Sequence, residues 1–215
     1  MQIHKIYQCI KPDCRFRFHD QSSFNNEIKR CPKCKGPLKV KSIPQQEIEN
    51  LYPSPEVTFP EMEILLDNIR STLNVGSVFR TADGVGGIRR IHLCGVTPTP
   101  DHPKIAKTAL GAENFIDWTQ HWNSLEVVQE YKKNGYQIWS IEEGQNAEPI
   151  FSAGKKAGNS PILLILGSET SGVDPDILQI SDKILMIPMA GNKKSLNVST
   201  AFGIAVYMLR YSSLF

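Results

Sequence analysis

The chain has 215 residues, of which 40% are hydrophobic and 21% are charged, and its formal net charge is +2. This length fits one medium domain or one domain with a small appendage, and the apolar content excludes a wholly disordered chain. No run of about 18 apolar residues occurs and the first residues lack the apolar stretch of a signal peptide, so we expect a cytoplasmic protein with no membrane segment.

The charge is divided unevenly along the chain. Residues 1–42 hold ten of the 24 Lys and Arg but three of the 22 Asp and Glu, which gives a net charge of +7 against −5 for the remainder. A short basic segment of this kind indicates contact with a polyanion, although a solvated basic surface without a partner would have the same composition.

Four of the five cysteines lie in this basic segment, in two pairs that 16 residues separate. Pairs with two or four intervening residues have the spacing of zinc ligands, and disulfides are not expected in a chain without an export signal. Four thiolates complete a tetrahedral Zn²⁺ shell and favour a structural metal, although iron also binds four thiolates. The fifth cysteine, Cys94, is predicted to be a small core residue on a strand. The predicted ligands are Cys9, Cys14, Cys31 and Cys34.

Between the two cysteine pairs, the segment Arg15–Phe18 alternates cations with aromatic rings, as a β-strand does. A strand here would place two cations on one face, where they could bind RNA phosphates, and two rings on the other, where they could stack on unpaired bases. The rings are equally consistent with a cover for the small core around the metal.

The composition changes after the basic segment. Four prolines between residues 43 and 60 predict a stiff linker, so we expect a zinc-ribbon-like domain at 1–42, a proline-rich linker at 43–60 and a larger domain at 61–215. In the larger domain short apolar runs alternate with amphipathic stretches, which indicates an α/β fold with a mostly parallel sheet covered on both faces. The predicted strands are 63–67, 90–94, 136–142, 162–166 and 184–187, and the predicted helices are 75–85, 124–134, a short one opening at 174–176, and 198–211.

Three polar or glycine-containing loops follow predicted strands, where the ligands of such sheets bind. In the first loop, 67–83, Asn74 is well placed to cap a helix and Gly76 permits a close approach of another backbone segment. Arg80 follows nearly two turns later, on a helix that is otherwise apolar.

The second loop, 166–172, runs from a buried strand into glycine, hydroxyl groups and the carboxylate of Glu169. The third loop, 187–199, turns at Gly191 and enters the last helix through polar side chains. Taken one at a time, the three loops are also explained as a helix cap, a turn and a helix entry.

Taken together and in this order, the loops resemble the motifs of the SPOUT class, specifically the SpoU/TrmH-like RNA ribose 2′-O-methyltransferases. The resemblance covers about residues 62–213, and its most specific part is Ser195–Ser199 after Ile187–Met189. It implies S-adenosylmethionine as the cofactor, RNA (tRNA or rRNA) as the partner, a homodimer with its sites near the subunit interface, and a C-terminal trefoil knot whose loops hold the cofactor.

The same resemblance assigns roles to single residues. Arg80 is similar to the catalytic arginine, and Asn74 beside it would order the substrate loop. Glu169 is similar to the carboxylate of the second motif, and Ser195 and Asn197 to the polar pair of the third. Because a guanidinium stays charged, we expect Arg80 to stabilise the developing alkoxide of the substrate. The residues that would surround the cofactor are Leu166, Gly167, Ile187, Met189, Ser195 and Leu196.

Two departures from the family pattern, Ser71–Leu73 and Thr170–Ser171, would alter substrate choice and leave the chemistry in place. A second function from another class stays open: a catalytically silent RNA-binding adaptor that combines the zinc ribbon with the knotted domain. Methylation of a base nitrogen by a related knotted protein is less favoured, because the third motif resembles the ribose branch.

Overall fold

The computed structural model describes residues 3–19, 28–44, 60–153 and 160–211. The chain divides into two compact units, Met1–Pro55 and Glu56–Phe215. Residues 45–59, most of the predicted linker, lie outside the described residues, so the predicted domain limits stay predictions. None of the helices in the described ranges has the length and hydropathy that a membrane crossing requires.

The amino-terminal unit is a small antiparallel sheet. Its strands are β1 (Ile3–Cys9), β2 (Arg17–His19) and β3 (Leu38–Pro44), and β1 lies between the other two. The prediction that Arg15–Phe18 forms a strand throughout is wrong at its start: Arg15 has a φ of 45° in the turn before β2, and the strand begins at Arg17.

The described part of the larger unit is built on seven strands. They are β4 (Met62–Asp67), β5 (Ile88–Cys94), β6 (Asp117–His121), β7 (Gln137–Ile141), β8 (Glu148–Pro149), β9 (Ile162–Leu166) and β10 (Lys183–Met186). Their order in the sheet is β6–β5–β4–β9–β7–β10–β8, and every neighbouring pair is parallel. The predicted α/β class with a mostly parallel sheet is confirmed. The five predicted strands are present, 162–166 without a shift and the others with shifts of one or two residues, whereas β6 and β8 were not predicted.

In the described residues of this unit, four α-helices lie between strands and a fifth follows the last strand. They are α1 (Thr72–Val85), α2 (Ala106–Ala109), α3 (Ser124–Lys133), α4 (Pro175–Ile180) and α5 (Val198–Tyr211). The predicted limits of α5 are confirmed, as is the start of α4, where the Asp174 carboxylate accepts a hydrogen bond from the backbone N–H of Asp176 at 2.8 Å. Helix α2, a single turn, was missed because one turn has no hydrophobic period to detect.

The sheet separates two hydrophobic cores. All five residues of β9 are buried, and because side chains alternate along a strand, Ile162 and Leu164 face α1 and α5 while Leu163 and Ile165 face α3 and α4. Helices therefore cover both faces of the sheet, as predicted. Functional residues can then lie on the loops that follow the carboxyl ends of the strands. Cys94 is buried at the end of β5, which confirms its place in the core.

A buried carboxylate ties β4 and β5 to α3. Glu63 on β4 lies 2.8 Å from His92 Nε2 on β5, and the hydroxyl of Tyr131 on α3 donates to it at 2.8 Å. Burial alone would raise the pKa of Glu63, but the contacts with His92 and Tyr131 lower it below its usual value. His92 Nδ1 in turn lies 3.1 Å from His121 Nε2 at the end of β6.

The predicted close approach at Gly76 is present between α1 and α2. A Cβ atom on Gly76 would lie 2.5 Å from the carbonyl oxygen of Ile105 and would also overlap the Thr108 hydroxyl. That hydroxyl donates to the carbonyl oxygen of Leu73 at 3.1 Å. The contact fixes α2 against the first turn of α1, which carries Asn74.

Gly76→Ala is therefore expected to lower the free energy of unfolding by about 1–3 kcal/mol, because the added methyl group overpacks a closed contact. Gly84→Ala is the matched control on the same helix, since its Cβ would lie 3.6 Å from the Tyr207 hydroxyl oxygen, an ordinary contact. The control is expected to gain up to about 1 kcal/mol from helix propensity. Urea unfolding of both variants tests this, and a stable Gly76→Ala protein contradicts it.

Candidate active site

A cavity of about 580 Å³ opens beside the carboxyl ends of β7, β9 and β10. This volume is typical of a site for a small molecule or cofactor. Its walls come from the loop after β9, the segment after β10 and the first turn of α5. All six residues predicted to surround a cofactor line it: Leu166, Gly167, Ile187, Met189, Ser195 and Leu196.

The loop after β9 folds back on itself at the cavity wall. Ser168 and Gly172 exchange two backbone hydrogen bonds, at 2.9 and 3.0 Å. A Cβ atom on Gly167 would overlap the backbone of Gly172 and Val173, so only glycine fits at this position. The tight loop presents Glu169 at its tip.

The cavity has an acidic wall residue that the sequence analysis missed. Glu142 follows β7, and its carboxylate accepts hydrogen bonds from the backbone N–H groups of Val173 at 2.8 Å and Glu143 at 3.0 Å. Gly172 has a φ of 73°, and a Cβ there would overlap this carboxylate. The available signal was the place of Glu142 at the end of a predicted strand, where ligands of parallel sheets bind.

Three of the predicted catalytic residues meet in one hydrogen-bonded chain. The Asn74 side-chain N–H donates to the Glu169 carboxylate at 2.8 Å. The Asn197 side-chain N–H donates to the side-chain oxygen of Asn74, Oδ1, at 3.0 Å. The second oxygen of Glu169 accepts from the backbone N–H of Arg70 at 3.2 Å. These contacts join the first loop to the second and the third.

These hydrogen bonds also favour the ionised form of Glu169. Burial alone would raise the pKa of its carboxyl group, but the Asn74 side chain and nearby backbone N–H groups, including that of Arg70, lower it below its usual value. Glu169 is therefore an anion at neutral pH, bound by donors from another loop.

The helix caps differ from the prediction at Asn74. Ser71 caps α1, and its hydroxyl oxygen accepts from the backbone N–H of Asn74 at 3.3 Å. The prediction of Asn74 as the cap is wrong because the helix begins at Thr72, which leaves the Asn74 side chain to bind Glu169. At the start of α5, the side-chain oxygen of Asn197 accepts a hydrogen bond from the backbone N–H of Ser199 at 3.0 Å, as the side chain of a helix cap does.

The other two predicted catalytic residues, Ser195 and Arg80, lie outside the group formed by Asn74, Glu169 and Asn197. Ser195 lines the cavity. Arg80 is exposed on α1 and is not among the cavity-lining residues. Six residues along a helix correspond to a rotation of about 600°, so Arg80 leaves α1 on a different side from Asn74.

A second candidate site lies in the amino-terminal unit, where four sulfur atoms lie within 4.8 Å of one another. Two of the sulfur pairs are 3.4 and 3.8 Å apart, and around a tetrahedral Zn²⁺ with Zn–S bonds of about 2.3 Å the sulfurs lie about 3.8 Å apart. The backbone N–H of Gly36 lowers the pKa of one of these thiols, Cys34, to about 7. The converging residues are the predicted ligands Cys9, Cys14, Cys31 and Cys34.

Comparison with known proteins places the larger unit in context. Residues 61–207 match the model of the SpoU rRNA Methylase family. The YacO protein of Bacillus subtilis, whose name refers it to the TrmH family of tRNA/rRNA methyltransferases, is 31% identical over 166 residues, which are 75% of this chain and 63% of YacO. A tRNA (guanosine(18)-2′-O)-methyltransferase of Aquifex aeolicus is 29% identical over 68% of this chain and 67% of its own. The chain thus spans less than two thirds of YacO.

Solved structures agree with this relationship. An AdoMet-bound rRNA methyltransferase from Sinorhizobium meliloti has a TM-score of 0.64 at 25% identity, over 70% of this chain and 56% of that chain. A TrmH/SpoU tRNA modifying enzyme from A. aeolicus has a TM-score of 0.63 at 25% identity, over 72% of this chain and 76% of that chain.

Proposed function

Because the chain belongs to the SpoU rRNA methylase family, we propose that it methylates a ribose 2′-hydroxyl group of tRNA or rRNA with S-adenosylmethionine as the donor. The observation that carries this proposal is the junction of Asn74, Glu169 and Asn197 beside a cavity of cofactor size. The relatives support it, since their names describe methyl transfer to tRNA and rRNA. The trefoil knot and a cytoplasmic location stay predictions.

The residues that line the cavity fit S-adenosylmethionine. Ile187, Met189 and Leu196 supply apolar surface for an adenine ring, and the backbone at Leu166–Gly167 supplies polar groups for its edge. Glu142 and Glu169 add negative charge near the place where a sulfonium would bind. When bound, the cofactor supplies an activated methyl group for transfer.

Positioning accounts for much of the rate in such a displacement, because the attacking oxygen must lie in line with the bond that breaks. The contact between Glu169 and Asn74 holds the first loop, where the substrate ribose would bind, against the cavity wall. The substrate hydroxyl is a poor nucleophile until its proton leaves, so a cation is needed where the negative charge develops. We assign this role to Arg80.

The position of Arg80 makes the predicted homodimer part of the proposal. Arg80 is exposed on α1 and does not line the cavity of its own chain. In a dimer with its sites close to the subunit interface, Arg80 of one subunit can serve the cavity of the other. Each complete site would then need both subunits.

Arg80→Ala is expected to lower the methylation rate by about 100-fold or more, the usual effect of removing one stabilising donor, and to leave the affinity for S-adenosylmethionine unchanged. The rate is measured by transfer from labelled cofactor to total RNA, with mapping of the ribose methylation, and the affinity by calorimetry. Arg89→Ala is the control, because this exposed guanidinium pairs with Glu61 before β4, at the opposite edge of the sheet.

A near-normal rate in Arg80→Ala would refute the assignment. The same measurements separate the alternative function, the catalytically silent adaptor. A wild-type protein that binds RNA but neither binds S-adenosylmethionine nor transfers its methyl group would establish the adaptor and exclude the enzyme.

We propose that the four cysteines of the amino-terminal unit hold a structural Zn²⁺. Their sulfur spacing fits a closed tetrahedral shell, which has no open position for catalysis. The unit has a small core, in which Tyr7, Cys9 and Cys31 are the buried apolar residues of its described part, so the metal would supply much of its stability.

The protein is expected to contain one equivalent of zinc by elemental analysis. Cys31→Ala should lose the zinc and unfold the amino-terminal unit, as followed by protease sensitivity, and leave the larger unit folded. Cys94→Ala is the matched control. Cys94 is buried in a hydrophobic core of the larger unit, so its exchange should leave the zinc content unchanged. One equivalent of iron in the wild type, or full zinc in Cys31→Ala, would contradict this prediction.

We propose further that this unit binds RNA phosphates with one face of its sheet. Gln8 of β1 pairs with Arg17 of β2 on one side and Lys39 of β3 on the other, so these residues share a face, and Lys41 and His19 lie on the same face in the next row. Three cationic side chains and one imidazole on this face are exposed: Arg17, Lys39, Lys41 and His19.

The opposite face carries the rings. Tyr7 is buried and its ring stacks on Phe18 at 5.5 Å between centroids, and Phe16 stacks on Phe18 at 5.3 Å. Tyr7 is therefore a structural ring that covers the small core, one of the two alternatives that the sequence left open. The cations of the binding face come from β2 and β3 together, instead of from the single strand that the sequence predicted.

The triple substitution Arg17→Gln, Lys39→Gln, Lys41→Gln is expected to weaken RNA binding and to reduce the slope of log affinity against log salt by about 0.7–0.9 for each RNA phosphate that the protein no longer neutralises. The matched control is Lys11→Gln, Lys33→Gln, Lys35→Gln, which removes the same charge from the cysteine-bearing turns. Zinc content is measured in both proteins. Equal slopes for the two would refute the proposed face.

A further inference from the structure

Two exposed apolar side chains lie at the carboxyl edge of the sheet, outside the cavity. Val96 follows β5 and is 64% exposed, and Trp122 follows β6 and is 83% exposed. Because β4, β5 and β6 are parallel neighbours, the loops after them emerge at the same edge as the proposed site. Tryptophan is enriched at binding interfaces, because its large ring offers both apolar surface and a stacking face.

Hydrogen bonds join the loops after these three strands. The backbone N–H of Gly95 donates to the carbonyl oxygen of His121 at 2.9 Å, which places the residue before Val96 against the residue before Trp122. The backbone N–H of Val96 donates to the side-chain oxygen of Asn68, the first residue after β4, at 3.2 Å. The two exposed side chains therefore lie on adjoining loops.

The same loops are fixed to the proposed active site. The Thr97 hydroxyl donates to the carbonyl oxygen of Leu66 at 3.1 Å and accepts from the backbone N–H of Ile69 at 3.0 Å. The next residue, Arg70, donates its backbone N–H to Glu169 and has an exposed side chain. The loops that carry Trp122 and Val96 are thus hydrogen-bonded to the loop of the proposed site, which carries the exposed cation of Arg70.

The backbone at Trp122 is anchored before a ligand binds. His121, the residue before it, lies 3.1 Å from His92 Nδ1 and 2.9 Å from the Thr119 hydroxyl oxygen. His92 is itself bound to the buried Glu63. Because the backbone that carries the Trp122 ring is already ordered, binding a flat ligand costs little backbone freedom, which favours a binding role for Trp122.

We propose that Trp122, with Val96 beside it, is a platform on which an unpaired base of the substrate RNA stacks next to the target nucleotide. This proposal rests on the proposed function. Strand β6 lies two positions from β4 in the sheet, about 10 Å at the usual strand spacing, so the platform receives a neighbouring base and leaves the target at Asn74. The exposed guanidinium of Arg70, on the loop after β4, suits the phosphate that connects the two nucleotides.

The test compares Trp122→Leu with Trp122→Phe. Leucine keeps an apolar side chain without a ring, whereas phenylalanine keeps the stacking face. The probe is a labelled single-stranded oligouridylate, followed by fluorescence anisotropy, and Trp122→Leu is expected to weaken its binding about 10-fold while Trp122→Phe stays close to wild type. Phe151→Leu is the control, an exposed ring (55%) beyond β8 at the other end of the sheet.

Double-stranded RNA of the same composition gives the second arm. Paired bases cannot leave their stack without a penalty, so Trp122→Leu should bind the duplex as the wild type does. Unchanged affinity of Trp122→Leu for the single strand, or an equal loss for both RNAs, overturns the proposal. A change of oligomeric state in Trp122→Leu, measured by analytical ultracentrifugation, also overturns it, because the surface is then an interface between copies.

The outcomes for the platform and for the enzyme are separate. If the single strand binds through Trp122 but no RNA is methylated, the methyltransferase proposal fails, and Trp122 binds an unpaired base without a target nucleotide beside it. If RNA is methylated at the same rate and the single strand binds equally well in Trp122→Leu and wild type, the platform fails and the enzyme stands.

Discussion

The arrangement of the site depends on one interaction, the hydrogen bond between the Asn74 side chain and the Glu169 carboxylate. A hydrogen bond to a charged group is worth about 1.5–3 kcal/mol, roughly twice a neutral one. Because Asn197 donates to the same amide, the orientation of Asn74 is fixed from both sides: its N–H faces the carboxylate and its oxygen faces Asn197. Exchange of any of these three side chains for an apolar one would leave a polar partner unpaired and release one loop from the other two.

The sheet makes this interaction possible between residues far apart in the chain. Strand β9 pairs directly with β4, although nearly 100 residues separate them, so the loops that follow both strands emerge side by side. Two smaller features then aim the side chain. Ser71 caps α1 in place of Asn74, and Gly76 lets α2 pack against the first turn of the helix. A helix cap and a close contact between two helices thus position the Asn74 side chain.

The sequence predicted those parts of the molecule that local patterns determine. Strand β9 and helix α5 have strong apolar patterns, and both lie where they were expected. Strand β6 (Asp117–His121) escaped prediction because it is a half-exposed edge strand, whose polar residues show no clear alternation. The convergence of the cysteines followed from their spacing, whereas the roles of Ser71 and Glu142 depend on tertiary neighbours that no short segment of sequence encodes.

The two units have different sources of stability and opposite charges, which argues for separate tasks. The larger unit has two hydrophobic cores and a net acidic composition, so it folds on apolar burial and is poorly suited to bind RNA by general electrostatic attraction. Its surface beside the site instead offers the ring of Trp122 and the cation of Arg70, which suit recognition of a few nucleotides. In our proposal, the small basic unit supplies the salt-dependent attraction that the larger unit lacks. The salt dependence of RNA binding and the preference for unpaired bases are therefore expected to respond to different substitutions.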